Sequence, residues 1–235
     1  MGLGEMITVH HLNNSRSQRV LWLLEELDLP YDLKRYERQP RSLRAPDALR
    51  AVHPLGKAPT ITDGQITLAE SGAILEYLVE RANDQGRRPR LAPLPGTPER
   101  LRYTYWMHYA EGSAMLPLVL RLIFDQMPKQ PMSAIARPVV RALASRVVES
   151  FVQPQIEAHL DYLEGELARS TWFAGEEFSA ADIQMSFPIE VAAGRGGLDV
   201  SRGRLRGYLE RIRNRAAYQR AIERGGPYTV SRLID

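Results

Sequence analysis

Ala58-Pro59-Thr60-Ile61-Thr62-Asp63-Gly64-Gln65-Ile66-Thr67-Leu68-Ala69-Glu70-Ser71-Gly72-Ala73-Ile74-Leu75-Glu76-Tyr77-Leu78 is the most informative run in this chain. Two short β-prone segments, Ala58 to Thr62 and Gln65 to Leu68, flank Asp63-Gly64, a strong short-range hairpin signal. A helical pattern follows at once, opening on an acidic residue and a hydroxyl. The first turn of a helix has unpaired N–H donors and favours anions. Glu70 therefore suits an ammonium group, and Ser71 with the helix N-terminus suits a carboxylate, so together they can hold both ends of a free amino acid. Pro59 heads the first strand, where an extended ligand can lie alongside.

Working outward, Ile7 to His11 is a β-type run, and Ser17 to Asp28 places Val20, Leu21, Leu23, Leu24 and Leu27 on one side of a helix that Leu29-Pro30 stops. Tyr31 to Tyr36 alternates as a second strand; a polar segment, residues 37–44, leads to a short helix around residues 45–52. The order is strand, helix, strand, helix, strand, strand, helix. That βαβαββα order is similar to the thioredoxin-like α/β arrangement. A Pro/Gly-rich linker occupies residues 86–96. Beyond it the pattern is all-α: Thr97 caps a long helix to Gln126, with a bend expected near Gly112 or Pro117. Residues 134–168 form one or two more helices, with Pro138 and Pro154 as bends. Three helices close the chain over about 179–193, 204–214 and 216–223. The division is residues 1–85, a linker at 86–96, and a helical domain at 97–235. Ser179 and Asp182 have capping-box spacing, with Phe178 and Ile183 spaced as a hydrophobic staple.

The totals restrict function. The 235 residues contain no cysteine, which excludes disulfides, thiolate metal sites and a cysteine nucleophile. The five histidines show no metal spacing, and the adjacent His10 and His11 of a strand point to opposite faces. No apolar stretch approaches a membrane span. Residues 1–6 lack the pattern of a secretory signal or of myristoylation, so neither is expected. Net charge is +3, and eight arginines lie between Arg202 and Arg224. Without interleaved aromatics for base stacking, they read as a solvated helix face rather than a nucleic-acid surface.

Three segments carry a family resemblance: His53-Pro54-Leu55-Gly56-Lys57-Ala58-Pro59, Glu70-Ser71-Gly72-Ala73-Ile74-Leu75-Glu76-Tyr77-Leu78, and Phe178-Ser179-Ala180-Ala181-Asp182-Ile183. In this order and spacing the chain resembles the soluble glutathione transferases. Residues 12–27 and 34–38 are similar to the fungal-type and bacterial subgroup. The resemblance implies a glutathione-binding first domain, a helical second domain with the electrophile pocket, a homodimer and a cytoplasmic location. It implies that Pro59 is cis and presents the Ala58 backbone to the cysteinyl part of glutathione. It also implies that Lys57 reaches the glycyl end and that Glu70 and Ser71 hold the γ-glutamyl end. Trp106, Met107, Tyr109, Met115 and Phe124 lie on the first long helix of the second domain, where some are expected to line the apolar pocket.

Activation of the thiol needs no general base. A free thiol has a pKa of about 8.5. A hydrogen bond to a charged group contributes about 1.5–3 kcal/mol, and one pKa unit is about 1.4 kcal/mol. One good donor thus lowers the thiol pKa by roughly one to two units. The family places that donor just after the first strand. No Tyr lies between Ile7 and Leu29; the resemblance puts Asn14 where the serine-type classes carry their catalytic hydroxyl, its neighbour Ser15 matches a serine of this subgroup, and Ser17 is the third candidate. Ser15 stands first, with Asn14 close behind; Ser17 is expected to cap the helix, and Arg16 either adds positive potential or points into solvent. The expected activity is conjugation of glutathione to a small apolar electrophile. The alternatives are a glutathione-dependent peroxidase or disulfide reductase, or a non-catalytic binding member of the fold.

Overall fold

Val9 shows how the sheet is built. It pairs with Leu33 on one side and Ile61 on the other and is fully buried. In the computed structural model, which describes residues 6–39, 45–226 and 228–229 and omits the side chains of 195 and 196, four strands form one mixed sheet. These are β1 (Ile7–Leu12), β2 (Tyr31–Tyr36), β3 (Thr60–Asp63) and β4 (Ile66–Ala69), in the order β2-β1-β3-β4. β1 and β2 are parallel and so need a crossover, which α1 (Ser17–Glu26) supplies. The hairpin β3–β4 is antiparallel, and α2 (Ser71–Asp84) follows it directly. The N-terminal sequence readings at residues 1–5 and part of the polar segment, residues 40–44, lie outside the described residues.

Two local expectations are corrected. The hairpin loop is Gly64-Gln65, not Asp63-Gly64, because Asp63 pairs with Ile66 as the last residue of β3. Its carboxylate is buried, ion-paired with Arg81 and hydrogen-bonded by the Tyr77 hydroxyl at 2.7 Å. Two contacts from α2 thus draw Asp63 into the strand, while Gly64 takes the left-handed backbone of the turn at φ +57°. The helix expected around residues 45–52 shrinks to one 3₁₀ turn, Asp47–Leu49.

The second half is helical. α3 (Pro98–Tyr109) starts where Thr97 accepts the Arg100 N–H at 3.2 Å. It runs through a π turn, Ala110–Ala114, into α4 (Met115–Gln126), so the irregularity falls at Gly112 rather than Pro117. α5 (Ala136–Val147) and α6 (Gln153–Glu166) are joined by a second π turn, Val148–Val152. It precedes Pro154, which cannot donate to the preceding turn. α7 (Ala180–Val191), α8 (Gly203–Arg213) and α9 (Ala216–Gly225) complete the fold. One hydrophobic core runs from Ile7 and Val9 through α1 and α2 to Tyr103, Trp106, Ile183 and Met185. The linker joins it: Leu91 is buried and its carbonyl accepts the Ala180 N–H at 2.8 Å.

The capping box forms as the spacing requires. The Asp182 carboxylate accepts the backbone N–H groups of Ser179 and Phe173, both at 2.9 Å, and the Ser179 hydroxyl at 3.1 Å. Burial pushes the Asp182 carboxyl up to about 6, against the pull of these donors. Phe178 packs against Trp172 and Trp22, at ring-centroid distances of 5.0 and 5.6 Å.

The C-terminal arginines are not simply a solvated face. Arg215 forms a two-pronged pair with Glu26 at 2.6 and 2.9 Å, and Arg220 and Arg224 reach Glu25 at 2.8 and 3.1 Å. They tie α9 and its start to α1. The helices meet closely at Gly225, where an added Cβ would lie 2.6 Å from Gln18 Oε1 and 3.0 Å from Leu21 Cδ1. Gly225→Ala is therefore expected to cost about 1–3 kcal/mol by overpacking. Urea unfolding measures this; a midpoint equal to wild type would contradict so close an approach.

Candidate functional site

Register places the candidate residues at one edge of the sheet. β1 ends at Leu12; Thr60, which starts β3, pairs with His10 on β1 and Ala69 on β4. The loop after β1, the Ala58-Pro59 step before β3 and the Glu70-Ser71 step after β4 therefore emerge together. The Ala58–Pro59 peptide is cis. Glu70 is exposed at φ +71°, a costly backbone for a residue with a Cβ, and its carbonyl accepts the Ile74 N–H at 3.0 Å. Ser71 is buried as the first residue of α2 and its hydroxyl accepts from Arg19 Nη1 at 3.1 Å. Lys57 is exposed, with its carbonyl held by the Thr60 hydroxyl at 2.9 Å.

Arg19 was not singled out from the sequence because it sits inside an apolar helical pattern. It is buried, and the same Nη1 donates to Ser71, to Glu111 at 2.8 Å and to Gln184 at 2.9 Å. It thus bridges the Glu70-Ser71 step and the helical half. Glu111, in the π turn, also accepts from Arg16 at 2.8 Å. Burial raises the Glu111 carboxyl, but the Arg19 charge and the hydrogen bonds from Arg16 outweigh it and the net shift is downward. Arg16 therefore points to Glu111 rather than into open solvent, with its guanidinium 4.9 Å from the Phe187 ring centre.

The loop after β1 holds the three candidate donors in different ways. Ser17 is not a cap: it is the first residue of α1, fully buried, and its hydroxyl lies 2.8 Å from His11 Nδ1. Burial lowers the His11 pKa to about 4, so the ring is neutral near pH 7. The neutral ring carries one proton, and the direction of the Nδ1–Ser17 hydrogen bond follows the tautomer. Ser15 Oγ accepts the Ser17 N–H at 3.2 Å and lies 2.7 Å from Ser17 Oγ. Ser17 Oγ also lies 3.3 Å from the Leu12 carbonyl, so Ser15, Ser17 and His11 share one buried hydrogen-bond network.

Asn14 adopts a left-handed backbone at φ +50°. Its carbonyl accepts from Arg38 Nη2 at 3.2 Å. Its side-chain Oδ1 accepts the Thr229 N–H at 2.7 Å and the Thr229 hydroxyl at 3.0 Å. Its amide nitrogen has no partner among the described residues. Arg38 also donates its backbone N–H to Asn13 Oδ1 at 3.1 Å, so two arginines flank this loop. Arg38, His11 and Thr229 gave no local signal in the sequence, since each acts through a partner at least six positions away.

A βαβ-hairpin-α sheet whose strand ends gather Pro59, Glu70 and Ser71, followed by a helical second half, defines an α/β protein with a helical C-terminal part. Comparison with known proteins makes the class specific. Residues 15–81 match the model of the glutathione S-transferase N-terminal domain and residues 134–211 that of the C-terminal domain. Glutathione S-transferase 3 of Schizosaccharomyces pombe is 38% identical over 80% of this chain and 74% of its own. Glutathione S-transferase 1 of Saccharomyces cerevisiae is 29% identical over 80% and 81%. A solved glutathione S-transferase from Actinobacillus pleuropneumoniae superposes with a TM-score of 0.77 at 31% identity, covering 97% of this chain and 96% of that one. A homologue from Sulfitobacter, solved with bound glutathione, shares the fold at a TM-score of 0.71 and 20% identity, covering 94% and 98%. The chain belongs to the glutathione S-transferase family.

Proposed function

We propose that this glutathione transferase binds glutathione at the sheet edge and transfers its thiolate to a small apolar electrophile admitted by the helical half. Residues 1–85 supply the glutathione site and residues 97–235 the electrophile side. Glu70 takes the γ-glutamyl ammonium, and Ser71 with the N-terminus of α2 takes its carboxylate. The backbone of Ala58 pairs with the cysteinyl part, Pro59 sets its approach, and Lys57 reaches the glycyl carboxylate. These assignments put the sulfur beside the loop after β1.

Asn14 and Ser15 are the donors in reach there, and the geometry favours Asn14. Ser15 Oγ is already engaged with Ser17, whereas the Asn14 amide nitrogen has no partner among the described residues. A donated N–H stabilises the thiolate and not the thiol, which lowers the thiol pKa. Arg38 and Arg16 add positive potential. Ser15 keeps a supporting role by fixing the start of α1 through the Ser17 N–H. The chain acts as a homodimer in the cytoplasm on this reading. Among the described residues no helix is long and apolar enough to cross a membrane.

The carrying observation is the amide of Asn14, unpartnered among the described residues, at the same end of the sheet as Pro59 and Ser71. Glutathione affinity and thiolate absorbance test it. Ser71→Ala and Glu70→Ala are each expected to weaken glutathione binding about tenfold, the worth of about 1.4 kcal/mol, with the fold intact. Unchanged retention on a glutathione column would refute that placement. Asn14→Ala should return the bound thiol to a pKa of about 8.5, and Ser15→Ala should shift it less.

A further inference from the structure

We infer that Thr229 is a positioning residue for the thiol chemistry, orienting the Asn14 amide so that its NH₂ group remains free for the sulfur. The inference rests on Asn14 being the sulfur's donor. An asparagine side chain can present either its oxygen or its nitrogen to a given neighbour, and only the nitrogen donates. A backbone N–H cannot accept, so the atom 2.7 Å from Thr229 N must be the amide oxygen. The Thr229 hydroxyl donates to the same oxygen at 3.0 Å. Two donors on Oδ1 hold the amide in one of its two orientations and turn Nδ2 away from the C-terminal segment.

The rest of the geometry makes this clamp firm. Asn14 cannot swing at its backbone, because Arg38 Nη2 holds its carbonyl at 3.2 Å. The C-terminal segment turns at Gly226, φ +85°, just past α9. Tyr228 then anchors it: the ring is buried and its hydroxyl donates to Glu190 Oε2 at 2.9 Å. Glu190 is itself buried and takes the Tyr218 hydroxyl at 2.6 Å on its other oxygen. Thr229, the next residue, is exposed and touches Asn14 from a fixed base. The segment after α9 therefore contributes to the chemistry of a loop more than 200 positions earlier.

Without the clamp the amide oxygen faces the sulfur in part of the molecules and repels the thiolate. The test uses the full-length protein with glutathione and an aryl halide. It records the pKa of the bound thiol by thiolate absorbance, kcat and KM, and the melting temperature. Thr229→Pro removes both donors. It is expected to raise the thiol pKa by about half a unit to one unit and lower kcat/KM for the halide about three- to tenfold, since one unit is a factor of ten in the thiolate ratio. KM for glutathione stays within about twofold, because substrate anchoring is untouched. Thr229→Val keeps the N–H and the shape, and lowers kcat/KM about twofold. Asn14→Asp keeps both contacts to Thr229 but turns a charged oxygen toward the sulfur, and raises the thiol pKa at least as far as Asn14→Ala. In the Asn14→Ala background, Thr229→Pro changes neither pKa nor kcat further. If Asn14→Ala shifts the thiol pKa while Thr229→Pro does not, the orienting role is wrong. If the two effects add, Thr229 acts by another route and the inference also falls. If Asn14→Ala leaves the thiol pKa where it was, the donor assignment fails first.

Discussion

Asp182→Ala is expected to cost the fold about 2–5 kcal/mol, because two buried backbone N–H groups lose their acceptor at about 1–3 kcal/mol each. The donors are Phe173 and Ser179, both 2.9 Å from the carboxylate, which is fully buried. No water can replace it at zero exposure without opening the start of α7. The Ser179 hydroxyl loses its acceptor as well, but it can rotate to a carbonyl. For a chain of this size the melting temperature should fall roughly 10 °C. Asp182→Asn keeps one acceptor oxygen but sets an NH₂ group against one of the two backbone donors, so its loss should lie between alanine and wild type. Urea unfolding with an unchanged m-value is the measurement. An alanine variant within about 1 kcal/mol of wild type would mean that Phe173 and Ser179 find another acceptor, and the carboxylate would lose its role as the link between residues 173 and α7.

That element was legible from the sequence because its partners are close in the chain. Ser179 and Asp182 are three positions apart, and a helix start needs an acceptor for its first N–H groups wherever it occurs. The hairpin, the acid–serine helix start and the strand–helix order were legible for the same reason. The misreadings share the opposite cause. The hairpin loop moved by one residue because Asp63 is held by Tyr77 and Arg81 of α2, which a turn propensity does not see. Ser17 looked like a cap, yet it is consumed by His11 across the turn from β1 to α1. The arginines after residue 202 looked like a solvated face because their acids, Glu25 and Glu26, lie nearly 190 residues earlier. The sequence ranked Ser15 just ahead of Asn14, and the reading proposed here reverses that order. What separates them is which of their polar atoms is already engaged, and that depends on Ser17, His11 and Thr229.

Arg19→Met should be felt twice, in stability and in glutathione affinity, and Arg19→Lys much less in both. Arg19 is 1% exposed, and among the described residues its three hydrogen bonds leave from one nitrogen, Nη1, to Ser71, Glu111 and Gln184. Its Nε and Nη2 are buried with no hydrogen-bond partner among the described residues, and the guanidinium lies 5.0 Å from the Phe187 ring centre. Breaking a buried pair by removing one partner costs about 3–5 kcal/mol. Here Glu111 keeps Arg16, which puts the methionine variant near the lower figure, about 3 kcal/mol. Ser71 loses the donor that fixes its hydroxyl beside the α2 N-terminus, so glutathione should bind about tenfold more weakly, or about 1.4 kcal/mol. Lysine is a poor stand-in where a guanidinium grips two atoms with two nitrogens. At this site a single nitrogen makes every contact, and an ammonium has three hydrogens to offer the same three acceptors. Calorimetric titration with glutathione alongside urea unfolding separates the two losses. A lysine variant as weak as methionine would show that the planar guanidinium over Phe187, rather than the Nη1 hydrogen bonds, holds Ser71 in place.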